Sequence, residues 1–181
     1  DCDDSNSIIN PGATETCDGF DNDCDDLIDD ADSEVDFTNG ITLYADLDGD
    51  GFAGSDSTQA FCTPTDGWYL LPSDCDDSDA EIHPEIQESC DGIDNNCNGL
   101  IDDLDANVSG TQDFFIDVDG DGFGNSDFIQ SACVQPNRYV DNQLDCDDGD
   151  PMINPDAQEI CDDLDNDCDS TVDGEDPSVD L

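Results

Sequence analysis

The sequence predicts a mostly irregular, small all-β fold: a tandem array of short strands and loops with few or no long helices. Three observations predict it. One acidic stretch occurs three times, at residues 1–32, 74–105 and 145–176; each copy opens DCDD and runs C-D-x-x-D-N-x-C into a closing acidic segment. Such self-similarity sets the architecture before any local reading, because each repeat is one small unit. The chain also carries 52 acidic residues against a single basic one, Arg138, for a formal net charge of −51 over 181 residues. Finally, its 11 cysteines lie in a loop-rich chain, the composition of a disulfide framework in an oxidising compartment.

The charge defines the physical problem. Two like charges ~4 Å apart repel by about 1 kcal/mol even in bulk water. Dozens of such neighbours outweigh the ~5–15 kcal/mol by which domains are usually stable. Without bound cations the chain is therefore expected to expand. A disordered acidic tail is the plain alternative, and the ordered repeats, the cysteines and eight phenylalanines argue against it.

In order, the chain reads as an acidic module (1–36), an aromatic segment (37–73), a second module (74–108), a second aromatic segment (109–144) and a third module (145–181). The end of each module has the spacing of an EF-hand-type calcium loop. Such a loop takes side-chain oxygens from positions 1, 3 and 5, a carbonyl from 7, a ligand or water at 9 and an acid at 12. The three sets are Asp21, Asp23, Asp25, Leu27, Asp29, Asp32; Asp94, Asn96, Asn98, Leu100, Asp102, Asp105; and Asp165, Asp167, Asp169, Thr171, Asp173, Asp176. Position 12 is Asp rather than Glu, and a cysteine sits inside each loop, so calcium is expected without the flanking helices of a true EF-hand.

The aromatic segments supply the expected strands. Residues 41–45 (ITLYA) and 114–116 (FFI) are β-branched or aromatic runs ending at an acidic turn, and residues 68–71 and 139–140 read as return strands. Between them lie two D-x-D-G-D-G loops, in which Asp46, Asp48, Asp50 and the Phe52 carbonyl, and Asp117, Asp119, Asp121 and the Phe123 carbonyl, match positions 1, 3, 5 and 7. A glycine-rich hairpin with solvated charges is the plain alternative. Neither loop has an acid at position 12, where Ser57 and Phe128 stand. A hard cation would recruit further oxygens from the next DCDD: Asp74, Asp76 and Asp77, or Asp145, Asp147 and Asp148. Asp1 and Asp3 are the corresponding acids of the first module. Glu15, Glu88 and Glu159, each two residues before a cysteine, are closing or bridging candidates, or else merely solvated.

Repeat symmetry and short loop lengths suggest Cys62–Cys75, Cys133–Cys146, Cys17–Cys24, Cys90–Cys97 and Cys161–Cys168, with Cys2 unpaired. Zinc, which favours closer cysteine pairs, does not suit spacings embedded among hard oxygens.

The pattern DCDD-x-D/N-x-x-I-x-P-x-x-x-E-x-C-D-G-x-D-N-D-C-D-G-x-x-D resembles the metal-binding repeat of MopE-type bacterial surface proteins, and D-x-D-x-D-G is also similar to thrombospondin type-3 repeats. The resemblance implies an extracellular, metal-binding repeat. It also raises copper, which prefers imidazole, thioether and thiolate; this chain offers His83, Met152 and cysteines expected to be oxidised.

No Ser/His/Asp set, phosphate loop or isolated acid in an apolar cleft points to catalysis, so no enzyme is expected. Nucleic acid and anionic membranes should be repelled, and no apolar run is long enough to insert in a membrane. Asn107-Val-Ser109 is a three-residue glycosylation sequon. The chain reads as a processed extracellular or cell-surface protein, or a slice of a larger one. Its expected role is structural: a calcium ladder in a quasi-one-dimensional array. Two unlike, unfinished ends suggest head-to-tail assembly into a filament or stalk. A calcium-rigidified adhesive module is the alternative, followed by copper binding or mineral nucleation.

Overall fold

A computed structural model describes residues 2–175. It is small and mostly irregular, with short antiparallel strands and 3-10 turns and no α-helix among the described residues. The residues divide into two compact units, Asp1–Gln87 with Asp94–Leu100, and Glu88–Ile93 with Ile101–Leu181.

Each unit contains one three-stranded sheet. In the first, β1 (Ile41–Ala45) lies between β2 (Thr58–Phe61) and β3 (Trp68–Tyr69). Leu43 and Ala45 are buried while their neighbours are not, the period-two pattern of a strand with one covered face. Phe61 and Trp68, on the two edge strands, meet edge to face with centroids 4.9 Å apart. In the second unit β4 (Gln112–Ile116) lies between β5 (Asn125–Ala132) and β6 (Tyr139–Val140), with a register shift between Phe115 and Ile116. Each sheet is thus a hairpin, broken by the D-x-D-G-D-G loop, to which the later return strand adds on the other side.

The expected strands are present, but β2 and β5 were not legible beforehand. All of β5 from Ser126 to Ser131 is exposed, so its sequence has no apolar face to announce it. Its pairing partner, not its own pattern, makes it a strand.

The modules are built around a polar centre. Ile9, Ile82 and Ile153, beside the prolines, supply the buried apolar side chain of each. Beside it the glutamates Glu15, Glu88 and Glu159 are buried to within 1% of completely. Glu15 Oε2 accepts the Asn22 N–H at 2.7 Å and Oε1 the Asp29 N–H at 2.9 Å. Glu159 does the same for Asn166 and Asp173, at 2.8 Å each, and Glu88 Oε1 accepts Asp102 N–H at 3.1 Å. Asn22 and Asn166 are buried too, and their side-chain oxygens accept the backbone N–H of Thr16 and Ile160. One carboxylate therefore clamps the start of the loop to its 3-10 turn (Asp29–Ala31 in the first module, Asp173–Glu175 in the third). Of the three glutamates expected to ligate or else to be merely solvated, Glu15 and Glu159 have both oxygens engaged by backbone, and Glu88 is equally buried with Oε1 on the Asp102 N–H.

The disulfides overturn the expected pairing. They are Cys2–Cys24, Cys75–Cys97 and Cys146–Cys168 within modules, and Cys17–Cys62 and Cys90–Cys133 from a module to the aromatic segment after it. Cys2 is bonded, and the free cysteine among the described residues is Cys161, which is exposed. The reason lies in the loop. Cys24 N–H is drawn onto Asp21 Oδ1 at 2.6 Å and Cys24 adopts φ +68°, which sends its side chain to Cys2 of the DCDD segment rather than back to Cys17. Cys17 instead faces Cys62, whose N–H and that of Thr63 are held by the Asp30 carboxylate. Asp103 holds Cys133 and Val134 identically in the second unit. Proximity along the chain was a poor guide because the residues between the close pairs are wrapped around an acid.

Candidate metal centres

The module loops have the turn that their spacing demands. Asp21 Oδ2 accepts the Asp26 N–H, Asp94 Oδ2 the Gly99 N–H and Asp165 Oδ2 the Ser170 N–H, at 3.0, 2.8 and 2.9 Å. These position-6 residues have φ of +72°, +85° and +77°. The fifth-position oxygens of Asp25, Asn98 and Asp169 accept the N–H of Leu27, Leu100 and Thr171, each at 2.8 Å. Asn96 and Asp167, at position 3, accept from Asn98 and Asp169. Each acid thereby spends an oxygen on the backbone, and the loop holds its shape. Gly is the natural occupant of position 6, because a left-handed L-residue costs ~1–2 kcal/mol whereas glycine costs only ~0.5–1 kcal/mol in unfolded-chain entropy. Ser170→Gly is accordingly expected to raise the calcium-bound melting temperature by a few degrees; a lower midpoint would contradict it.

In the first module Asp23, Asp25 and Asp32 bring carboxylate oxygens within 4.8 Å of one another, as do Glu15, Asp21 and Asp23. Asp23 Oδ1 and Asp32 Oδ2 are buried and have no hydrogen-bond partner. Burial and then the Asp25, Asp32 and Asp21 charges raise the Asp23 pKa. Asp105 is buried and accepts Asn107 N–H; Asp1 and Asp176 lie outside the described residues. The ninth-position acids do something else. Asp29 Oδ1 accepts the N–H groups of Asp18 and Gly19, Asp102 Oδ1 those of Asp91 and Gly92, and Asp173 Oδ1 those of Asp162 and Asp163. They brace the turn after the second cysteine.

The D-x-D-G-D-G loops are the more complete oxygen cages. Asp46 accepts Gly49 and Gly51 N–H on its two oxygens, and Asp117 accepts Gly120 and Gly122 likewise. Asp48 and Asp50, and Asp119 and Asp121, each commit Oδ1 to a backbone N–H two residues on. Their Oδ2 atoms are buried without a partner, as are those of Asp74, Asp77 and Asp145. Asp48, Asp74 and Asp77 offer oxygens within 4.8 Å of one another. Asp77 and Asp148 reach in by accepting the Leu47 and Val118 N–H at 2.9 and 2.7 Å. A glycine makes room: a Cβ on Gly54 would stand 2.5 Å from Asp77 Cβ. The middle acids turn outward, Asp76 capping Ser78 and Asp147 capping Gly149, as Asp3 caps Ser5. The DCDD motif thus sends its first and last acids to the loop, a division its sequence did not reveal.

The electrostatics favour a cation among these carboxylates. Burial raises the carboxyls of Asp48, Asp74 and Asp119, and it pushes Asp145 up to about 6, with Asp121, Asp119 and Asp148 adding to the rise. A carboxyl whose folded pKa exceeds its unfolded value of 3.8 opposes folding while ionised. That opposition fades as pH falls through about 6. In chelator, the melting midpoint is therefore expected to be higher at pH 5 than at pH 7, and Asp145→Asn to shrink the difference. Calcium affinity should move the opposite way, since protons compete for the same oxygens. A chelator midpoint that falls on acidification would refute this.

Softer donors do not gather. His83 stacks on Phe52 with centroids 5.0 Å apart, and its Nδ1 accepts Glu85 N–H. Met152 is exposed, and all cysteines but Cys161 are oxidised. The donor set suits a hard cation that tolerates irregular oxygen coordination. Comparison with protein families matches residues 1–30, 74–103 and 145–174 to the model Cu-binding MopE, described as "Putative metal-binding motif". No curated protein and no solved structure matches the chain.

Proposed function

Because the chain carries three copies of the MopE-family metal-binding motif, we propose that it is an extracellular structural protein whose repeats are shaped by bound calcium. The observation that carries this reading is the set of buried carboxylate oxygens with no hydrogen-bond partner, gathered on loops whose backbone is already turned for a hard cation. Calcium fits better than copper, because the donors are carboxylates and carbonyls, with a single histidine in the chain. Five disulfides among the described residues suit an oxidising compartment, and no helix among them is long and apolar enough to cross a membrane. Titration calorimetry with calcium, magnesium and copper(II) tests the metal. The expected result is several calcium equivalents with Kd of about 10⁻⁵–10⁻³ M. Stoichiometric copper binding that survives excess calcium would overturn it.

The reading includes head-to-tail self-assembly into a surface filament or stalk, a structural rather than catalytic role. Electron microscopy of the oxidised protein in calcium should show regular filaments that chelation disperses. Monodisperse particles under all conditions would favour an adhesive module instead.

A further inference from the structure

Successive parts of this chain are joined by two different devices. A module is tied covalently to the aromatic segment after it, by Cys17–Cys62 in the first unit and Cys90–Cys133 in the second. No disulfide among the described residues ties an aromatic segment to the module after it. At that junction Ala53 O accepts the N–H of Ser73 and Asp74, and Gly124 O that of Asp145. Around these few bonds stand the bare oxygens: Oδ2 of Asp48, Asp50, Asp74 and Asp77, and Oδ2 of Asp119, Asp121 and Asp145. Asp74 and Asp145 are 8% and 7% exposed, so their unpartnered oxygens cannot be satisfied by bulk water.

We propose that each D-x-D-G-D-G loop, with the first and last acids of the following DCDD, is a second class of calcium site, and that its ion is the joint between aromatic segment and module. The inference rests on the calcium reading above but goes beyond the matched motif, which covers residues 74–103 and 145–174 and neither loop. Four ionised carboxylates drawn from two chain segments hold those segments together only around a cation; without one they push them apart. The arrangement occurs in both units, on equivalent residues. Covalent and ionic joints therefore alternate along the chain.

Calcium counting by native mass spectrometry on the oxidised chain tests the site. Asp48→Asn/Asp74→Asn is expected to lose one calcium per chain, Asp119→Asn/Asp145→Asn another, and the combined variant two. Peptide mapping that recovers the native disulfide pairs shows that each variant has folded. A specific protease site inserted between the exposed Leu70 and Leu71 tests the joint, because no disulfide spans that cut. The two fragments of the cut protein should co-elute in calcium and separate in chelator, and those of the Asp48→Asn/Asp74→Asn variant should separate in both. A wild type that binds several calcium ions alongside variants with an unchanged count overturns this inference alone, as do fragments that stay together in chelator. A wild type that binds no calcium removes the broader reading and this one with it.

Discussion

Chelating calcium at neutral pH and low ionic strength is expected to expand the chain and lower its melting midpoint steeply. Each saturated site contributes about 2.7 kcal/mol at a free calcium concentration 100 times its Kd, so several sites together rival the ~5–15 kcal/mol of a whole domain. Removing them restores the repulsion among 52 acids, with only one basic side chain to offset it. A compact chain of this length has a radius of gyration of about 16 Å and a random coil about 45 Å. The disulfides, closing separations of 22, 45 and 43 residues, should hold the chelated chain well below the coil value. Small-angle scattering with and without chelator measures this directly. Equal radii and equal melting midpoints at low salt would show that the charge is tolerated without metal.

The second large effect is expected at a buried glutamate whose two oxygens are held by backbone amides. Glu159→Ala removes a completely buried carboxylate and leaves the N–H groups of Asn166 and Asp173 without their acceptor. Each buried, unsatisfied group costs about 1–3 kcal/mol, so a loss of roughly 2–6 kcal/mol is expected in saturating calcium. Glu159→Gln keeps one good acceptor and should fall between. Denaturant unfolding in excess calcium checks the size. A calcium count reduced by one with stability unchanged would make Glu159 a ligand instead of a clamp.

The repeats, the loop spacing, β1 and β6 could be read from residues alone, because D-x-D-x-D/N runs and β-branched clusters carry their physics locally. The clamp role of the glutamates could not. Glu15 looks like any acid in an acidic chain, and only the fold brings the Asn22 and Asp29 amides to it. The disulfides failed for a related reason. Cys17 and Cys24 are near in sequence, but the turn around Asp21 points them at different partners, Cys62 and Cys2. Within DCDD, Asp74 and Asp76 are equivalent on paper. They differ because the chain turns at Asp76, whose carbonyl accepts the N–H of Ser78 and Asp79 and whose carboxylate takes the Ser78 hydroxyl, while Asp74 before the turn is buried beside Asp48 and Asp77.

The alternation of joints has a mechanical consequence. Under tension an ionic joint yields before a disulfide, and it re-forms when the load drops because its ligands stay tethered nearby. The slack released is bounded by the covalent path between the flanking bridges, residues 62–75 in the first unit and 133–146 in the second. Each path extends by at most roughly 45 Å. With calcium at the proposed joints, the chain is expected to stretch in fixed, recoverable steps, the surrounding calcium concentration setting the force at which each step gives way.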